Sequence, residues 1–306
     1  MKIAVIGGGS VGMLIASYCA IGKLDTTVYT KSKDQANRIN EKGITLHKSN
    51  QNMVIKEKLQ AKSIEEWGHP AYKIIVIAVK QTQLDDVLQV LKKSGLSGSS
   101  IIFAMNGMGH MEKANRDLSA CSLYPSVITH GAMRSNTGVE VKHTGVGMWV
   151  IGPWTSFQKK PERFIEKMVK GGFLTTYEEN IQTLQMEKLV VNGVINPLTA
   201  MYNVKNGALL EIDEYYHNAQ LVFDEIKSVI DIPVYWEVVE QVLLNTYENH
   251  SSMLQDIKNE RKTEAESITG YLLTLGEKKE LPMPLVAFLH QSIKGMERRW
   301  RECLET

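Results

Sequence analysis

The chain begins with a short apolar run, Ile3-Ala4-Val5-Ile6, that stops abruptly at Gly7-x-Gly9-x-x-Gly12 and then turns helical. A β-type run feeding a glycine loop that opens a helix is the signature of a phosphate-binding strand-loop-helix unit. Gly7 permits the tight turn, Gly9 admits a pyrophosphate to the backbone, and Gly12 lets the helix pack closely on the strand. Amides at the helix start face the phosphate charge. An ordinary glycine-rich turn is the plainer alternative, and the flanking strand and helix favour the nucleotide site, made of Gly7, Gly8, Gly9, Ser10, Val11 and Gly12.

The rest of the first half continues the alternation that such a start requires. Helical spacing covers residues 11 to 21, 33 to 42 and 84 to 91. Strand patterns cover residues 26 to 29 and 101 to 105, and residues 73 to 79 form an uninterrupted apolar run of the kind buried on both faces of a parallel sheet. From Leu123 to Trp149, Gly and Thr punctuate further strand-like pieces, including Val139-Glu140-Val141 and Met148-Trp149-Val150. The expected fold class is α/β, an N-terminal Rossmann-type doubly wound sheet with a β-rich tail.

Beyond Gln182 the pattern changes. Residues 186 to 201, 220 to 230, 234 to 247, 253 to 275 and 284 to 300 all carry apolar residues at helical intervals. An all-α C-terminal domain is expected over residues 178–306, after a nucleotide-binding domain over residues 1–177. Gly171-Gly172 and the polar stretch Thr175 to Asn180 mark the junction.

Charge and cysteine usage exclude several functions. With a formal net charge of +1 over 306 residues, the chain lacks the excess of Lys and Arg that a nucleic-acid-binding face requires. No stretch reaches the roughly 18 apolar residues of a membrane span, so neither nucleic acid nor membrane is expected as a partner. The three cysteines, Cys19, Cys121 and Cys303, are scattered without ligand spacing, which argues against a disulfide framework and a metal site and for reduced thiols in the cytoplasm.

An NAD-preferring loop is followed, about 20 residues on, by an acidic residue that accepts hydrogen bonds from the adenosine ribose. Here that corner reads Tyr29-Thr30-Lys31-Ser32-Lys33, with Asp25 before it and Asp34 beyond it. Lys31 can pair with a 2′-phosphate, which favours NADP, although a solvated lysine at a strand end is common. Lys80 and Asn106 each follow an apolar strand at its cofactor-side end, where a simple exit to solvent and an Asn-Gly turn are the competing readings.

The second half opens with a polar stripe in an apolar helix. Lys188, Asn192 and Asn196 recur every four residues, and each step advances only about 40° around the helix, so their heads share one face. Polar groups in such surroundings either form a structural network between helices or line a polar cleft.

Taken together, GGGSVG, VKQTQ, MNGMGH, EKLVVNGVINPLTAMYNVKNG and ENHSSMLQDI followed by TEAESITGYLL resemble, in order along nearly the whole chain, the ketopantoate reductase (2-dehydropantoate 2-reductase) family. The resemblance implies that Lys188 is the catalytic proton donor. It implies that Asn192, Asn196, Asn206, Asn249 and Ser252 join it in binding ketopantoate. It places NADP contacts on the glycine loop, Lys31, Lys80, Asn106 and Ala132, and puts Glu264 near the nicotinamide ribose. One departure is Lys31, where well-studied members carry arginine; the charge is kept and the planar fork is lost.

The implied reaction is reduction of the C2 ketone by NADPH to give (R)-pantoate for pantothenate and coenzyme A synthesis. The alternatives are a reductase of another branched 2-oxo acid and a non-catalytic NADP-binding sensor on the same fold. Ser251-Ser252 also reads as a plain helix N-cap, and Glu264 as part of the solvated helical face of Lys258, Glu260, Arg261 and Lys262. His110, His130, His143 and His250 share no ligand spacing and receive no role, and Trp149 and Trp154 read as packing residues. The long helices of the second half are compatible with a homodimer and equally with intramolecular packing.

Overall fold

Four consecutive residues, Ile3 to Ile6, are fully buried, and they place the first strand, β1 (Lys2–Ile6), in the interior of a sheet. Alternate residues feed two different cores. Ile3 and Val5 join one cluster and Ala4 and Ile6 the other, and the run Ile74 to Ile77 repeats the pattern with Ile74 and Val76 against Ile75 and Ile77. A strand covered on both faces needs apolar residues at every position, which is why these runs do not alternate with polar ones.

The structure, a computed structural model, describes residues 1–48, 53–57, 59–68, 71–156 and 158–302. Cys303 lies outside the described residues. The chain divides into two compact units, Met1–Met105 with His110–Gln182, and Asn106–Gly109 with the chain from Thr183 onward.

In the first unit the order after β1 is α1 (Ser10–Ile21), β2 (Asp25–Thr30), α2 (Lys33–Lys42), β3 (Ile44–Lys48), β4 (Met53–Glu57), β5 (Gln60–Ser63) and β6 (Ile74–Ile77). There follow α3 (Leu84–Lys93), β7 (Ser100–Phe103), α4 (His110–Asp117), β8 (Ser122–Ile128), β9 (Gly131–Arg134), β10 (Glu140–Gly145), β11 (Trp149–Ile151), α5 (Glu162–Lys170) and β12 (Thr175–Tyr177). The main sheet has eight strands in the order β12-β11-β8-β7-β6-β1-β2-β5. Its pairs are parallel except β8 with β11. Strand order runs outward from β1 in both directions, to β2 on one side and to β6 on the other. The carboxyl ends of β1 and β6 therefore flank the crevice where open α/β sheets bind ligands. Residues of α1 and α5 fill one core and residues of α3 and α4 the other, as expected of a doubly wound sheet.

A second, four-stranded sheet, β4-β3-β10-β9, shares the core cluster of α1 through Ile44, Leu46 and Val141. Its first two strands and β5 lie in a segment where the sequence shows no strong pattern. In β3 (ITLHK) and β5 (QAKS) the apolar residues are few and set among Thr, His, Lys, Gln and Ser, the composition of short strands that are only partly buried. The polar stretch read as the junction also contributes a strand: β12 pairs in parallel with β11 through Thr175 to Tyr177.

The second unit contains α6 (Ile181–Tyr202, its first two residues clustering with the first unit), α7 (Ala208–Glu211), α8 (Asp213–Ser228), α9 (Trp236–Asn245), α10 (Ser252–Lys258), α11 (Thr269–Lys279) and α12 (Pro284–Glu302). The stretch from 253 to 275, expected to be continuously helical, is instead broken. Asn259 caps α10, Glu260 adopts φ +52°, and the amide of Arg261 turns back to the carbonyl of Asp256 at 2.8 Å. A 3-10 turn at Ala265–Ser267 then leads into α11. No helix among the described residues is long and apolar enough to cross a membrane.

Candidate active site

The glycine loop has the geometry its spacing predicts. Gly7 has φ +127°, and a Cβ there would lie 2.3 Å from the carbonyl oxygen of Ala78, beyond β6. A Cβ on Gly12 would lie 1.9 Å from the carbonyl oxygen of Gly7. Gly9 differs: a Cβ there would meet nothing within 4 Å. It is the N-cap of α1, makes no side-chain cap, and precedes a first turn without acidic residues. An open face over uncapped helix-start amides, with no carboxylate to repel an anion, fits a dinucleotide pyrophosphate.

Lys31 is exposed immediately after β2. Ser32 caps α2 by accepting from the amide of Gln35, and Asp34, three residues past Lys31 in the chain, pairs with Arg38 at 2.9 Å. Lys80 is half-buried just past the carboxyl end of β6, and Ala132 is half-buried on β9 opposite His143 of β10. Two residues with no sequence signal also reach the loop. The carbonyl of Gly8 accepts from Gln35 Nε2 at 2.9 Å and from Arg134 Nη1 at 3.0 Å, and the amide of Arg134 donates to Ser10 Oγ at 3.1 Å. Only the pairing of β9 with β10 brings Arg134 there, so no local motif announces it.

In the helical unit, Lys188, Asn192 and Asn196 all lie on α6, which runs unbroken through Pro197. Lys188 and Asn192 are half-buried and Asn196 is buried. Burial draws the Lys188 ammonium down to a pKa of about 8, and the carboxylate of Glu264 opposes that shift. Glu264 is not on a solvated helical face. It lies in the break between α10 and α11, half-buried, and accepts a hydrogen bond from Asn106 Nδ2 at 3.1 Å. The preceding residue, Thr263, donates its amide and its hydroxyl to the buried carboxylate of Glu297, at 2.8 and 2.5 Å.

The remaining predicted substrate residues come together through the backbone. The amide of Asn206 donates to the carbonyl of Asn249 at 2.9 Å, and that of Gly207 to Tyr247 at 3.0 Å, so the turns before α7 and α10 lie side by side. The Asn206 side chain donates to Thr246 Oγ1 at 2.9 Å, while its Oδ1 is buried with no hydrogen-bond partner. Thr199, one turn past Asn196, donates to Ser251 Oγ at 2.7 Å and ties α6 to the start of α10. Ser251 is the N-cap, accepting from the amide of Leu254; Ser252 is not, and it is exposed, as is Asn249.

The other singled-out residues have structural settings. Trp149 is fully buried and donates to Ser126 Oγ at 2.9 Å. His143 bridges Tyr18 and His130 at 2.7 and 3.1 Å, and burial pushes His130 and His110 down to pKa values of about 4. Among the described residues no three His, Cys, Asp or Glu side chains group as metal ligands.

Comparison with known proteins fits this geometry. Residues 3–156 match the family model for ketopantoate reductase PanE/ApbA, and residues 180–297 match the model for its C-terminal part. The chain is 37% identical to the 2-dehydropantoate 2-reductase of Bacillus subtilis (strain 168), over 97% of this chain and 98% of that one. It is 33% identical to the enzyme of the same name from Listeria innocua, over 97% of each. The crystal structure of Bacillus subtilis panE superposes with a TM-score of 0.83 at 34% identity, covering 97% of this chain and all of that one. A glycine loop at the switch point of a doubly wound sheet, followed by a helical unit with a lysine-asparagine stripe, thus has full-length relatives, and the chain is an oxidoreductase belonging to the ketopantoate reductase family.

Proposed function

We propose that the protein catalyses the NADPH-dependent reduction of 2-dehydropantoate (ketopantoate) to (R)-pantoate, a step toward pantothenate and coenzyme A. The observation that carries this reading is Lys188, an ammonium on the asparagine-bearing face of α6 whose pKa is drawn down to about 8 by burial. A reductase of a 2-oxo acid needs a cation and a proton beside the oxygen that becomes negative, and a partly desolvated lysine supplies both near neutral pH.

In this reading Gly7 to Gly12 hold the pyrophosphate, Lys31 pairs with the 2′-phosphate, and Lys80, Asn106, Ala132 and Glu264 make the remaining cofactor contacts. Bound there, the reduced nicotinamide supplies the hydride for C2 of the ketone. Lys188 stabilises the charge growing on the ketone oxygen and passes one proton to it, and solvent returns that proton to the lysine. Asn192, Asn196, Asn206, Asn249 and Ser252 hold the substrate carboxylate and hydroxyl without adding a competing negative charge. The partnerless Oδ1 of Asn206 supports this, since a substrate hydroxyl would give it a donor. Glu264, held by Asn106, keeps the lysine from losing its proton too readily.

The reading places the enzyme in the cytoplasm, as a monomer or a homodimer that sedimentation distinguishes. The test of function is consumption of NADPH by purified protein on addition of ketopantoate, beside a panel of branched 2-oxo acids. Preferred turnover of ketopantoate supports the assignment. Faster reduction of another acid transfers the activity to that substrate, and cofactor binding with no turnover across the panel makes the protein a sensor.

A further inference from the structure

We propose that Arg134 is a phosphate-binding residue of the dinucleotide site, acting on the pyrophosphate rather than on the 2′-phosphate. The inference rests on the cofactor reading above and adds a residue to it. A glycine loop of this kind holds its anion with backbone amides and the helix dipole, which supply only partial charges. Here the last residue of β9 adds a full cation at the same place. The amide of Arg134 donates to Ser10, the first residue of α1, and its guanidinium reaches the carbonyl of Gly8 at 3.0 Å, so backbone and side chain bracket the start of the helix from one strand. Side chains two apart on a strand share a face, so Arg134 projects on the side of Ala132.

The side chain is exposed to solvent. A guanidinium is a planar fork of donors suited to phosphate, and one of its nitrogens reaches the Gly8 carbonyl beside the helix start. Gln35 already holds that carbonyl at 2.9 Å, so a second, charged donor is redundant for bracing the loop. The position also separates Arg134 from Lys31. Lys31 follows β2, where the adenosine ribose of such sites lies, whereas Arg134 meets the helix start, where the pyrophosphate lies.

The experiment measures equilibrium binding of NADPH and of NADH to the purified full-length chain, without substrate, for wild type, Arg134→Gln, Arg134→Lys and Lys31→Ala. If Arg134 meets the pyrophosphate, Arg134→Gln weakens both nucleotides by about tenfold, leaves their affinity ratio unchanged and flattens the salt dependence, while Arg134→Lys recovers part of the loss. Unchanged melting of Arg134→Gln shows that the fold is intact. Lys31→Ala, in contrast, alters the NADPH to NADH ratio. Wild-type affinity in Arg134→Gln overturns the inference, because a neutral donor to Gly8 then suffices, and a loss confined to NADPH overturns it by placing the arginine at the 2′-phosphate. Equal wild-type affinity for NADH and NADPH removes the role of Lys31 and leaves that of Arg134 standing; wild-type binding of neither nucleotide overturns both.

Discussion

Thr263 gives both its amide and its hydroxyl to one oxygen of Glu297, and the next residue in the chain is Glu264. A buried carboxylate on α12 therefore fixes the turn that aims Glu264 at Asn106 and Lys188. Lys294 lies 3.7 Å from Glu297 and offsets part of the cost of burying its charge.

Replacing Glu297 with alanine leaves two donors of Thr263 without their acceptor. Urea unfolding is expected to show a loss of about 2 to 3 kcal/mol. In the proposed mechanism the alkaline limb of the rate profile also shifts, because Glu264 no longer opposes deprotonation of Lys188. Glu297→Gln, which keeps an acceptor, recovers most of the stability. A shifted limb with intact stability, or the reverse, would separate the two effects.

In the proposed mechanism Lys188 is the acid and must be protonated. With its pKa lowered to about 8, turnover is expected to be flat below that value and to fall about tenfold per pH unit above it. Lys188→Ala is expected to lower kcat by about 10²- to 10⁴-fold with unchanged circular dichroism, the range that removal of a general acid produces. A pH-independent rate between neutrality and pH 10 would exclude this lysine as the proton source.

The glycines of the loop separate folding from binding. Gly12→Ala forces a methyl to 1.9 Å from the Gly7 carbonyl, and a stability loss of about 3 kcal/mol or more is expected. Gly9→Ala meets only open space, so its unfolding midpoint stays near wild type while nucleotide affinity falls, because the methyl occupies the path of the phosphate. Equal affinity in wild type and Gly9→Ala would show that no phosphate passes there.

Acid destabilises the fold through buried histidines. His110 titrates near 4 in the native protein against 6.5 when free, because burial disfavours its charged form. Between those values the unfolded chain binds the extra proton. Stability is therefore level above pH 6.5 and declines as pH falls toward 4, by roughly 3 kcal/mol at most for this one group. Denaturant titrations from pH 7 to 4 measure the slope, which is expected to be shallower in His110→Gln. A slope unchanged by that substitution would assign the acid sensitivity elsewhere, with the His130 and His143 pair as the next groups to replace.

Features carried by neighbouring residues were legible in the sequence. The apolar runs at Ile3 and Ile74, the glycine spacing and the four-residue recurrence of Lys188, Asn192 and Asn196 are local patterns, and a strand or helix period is enough to read them. The strands β3 and β5 were not, since short, partly buried strands carry little periodicity and acquire their identity from β10 and β2, far away in the chain. At Glu264 the charged neighbours leave a solvated helical face open as a competing reading. The turn that removes it from that face is held by Glu297, 33 residues later, and by a left-handed Glu260 that composition does not reveal. Arg134 reaches the glycine loop only because β9 folds back on β10. Sequence alone thus determined the class of fold, the loop and the stripe, because backbone geometry converts spacing directly into a shared face. Tertiary structure decided which distant side chains support them, because hydrogen bonds and burial depend on separations in space that spacing along the chain does not encode.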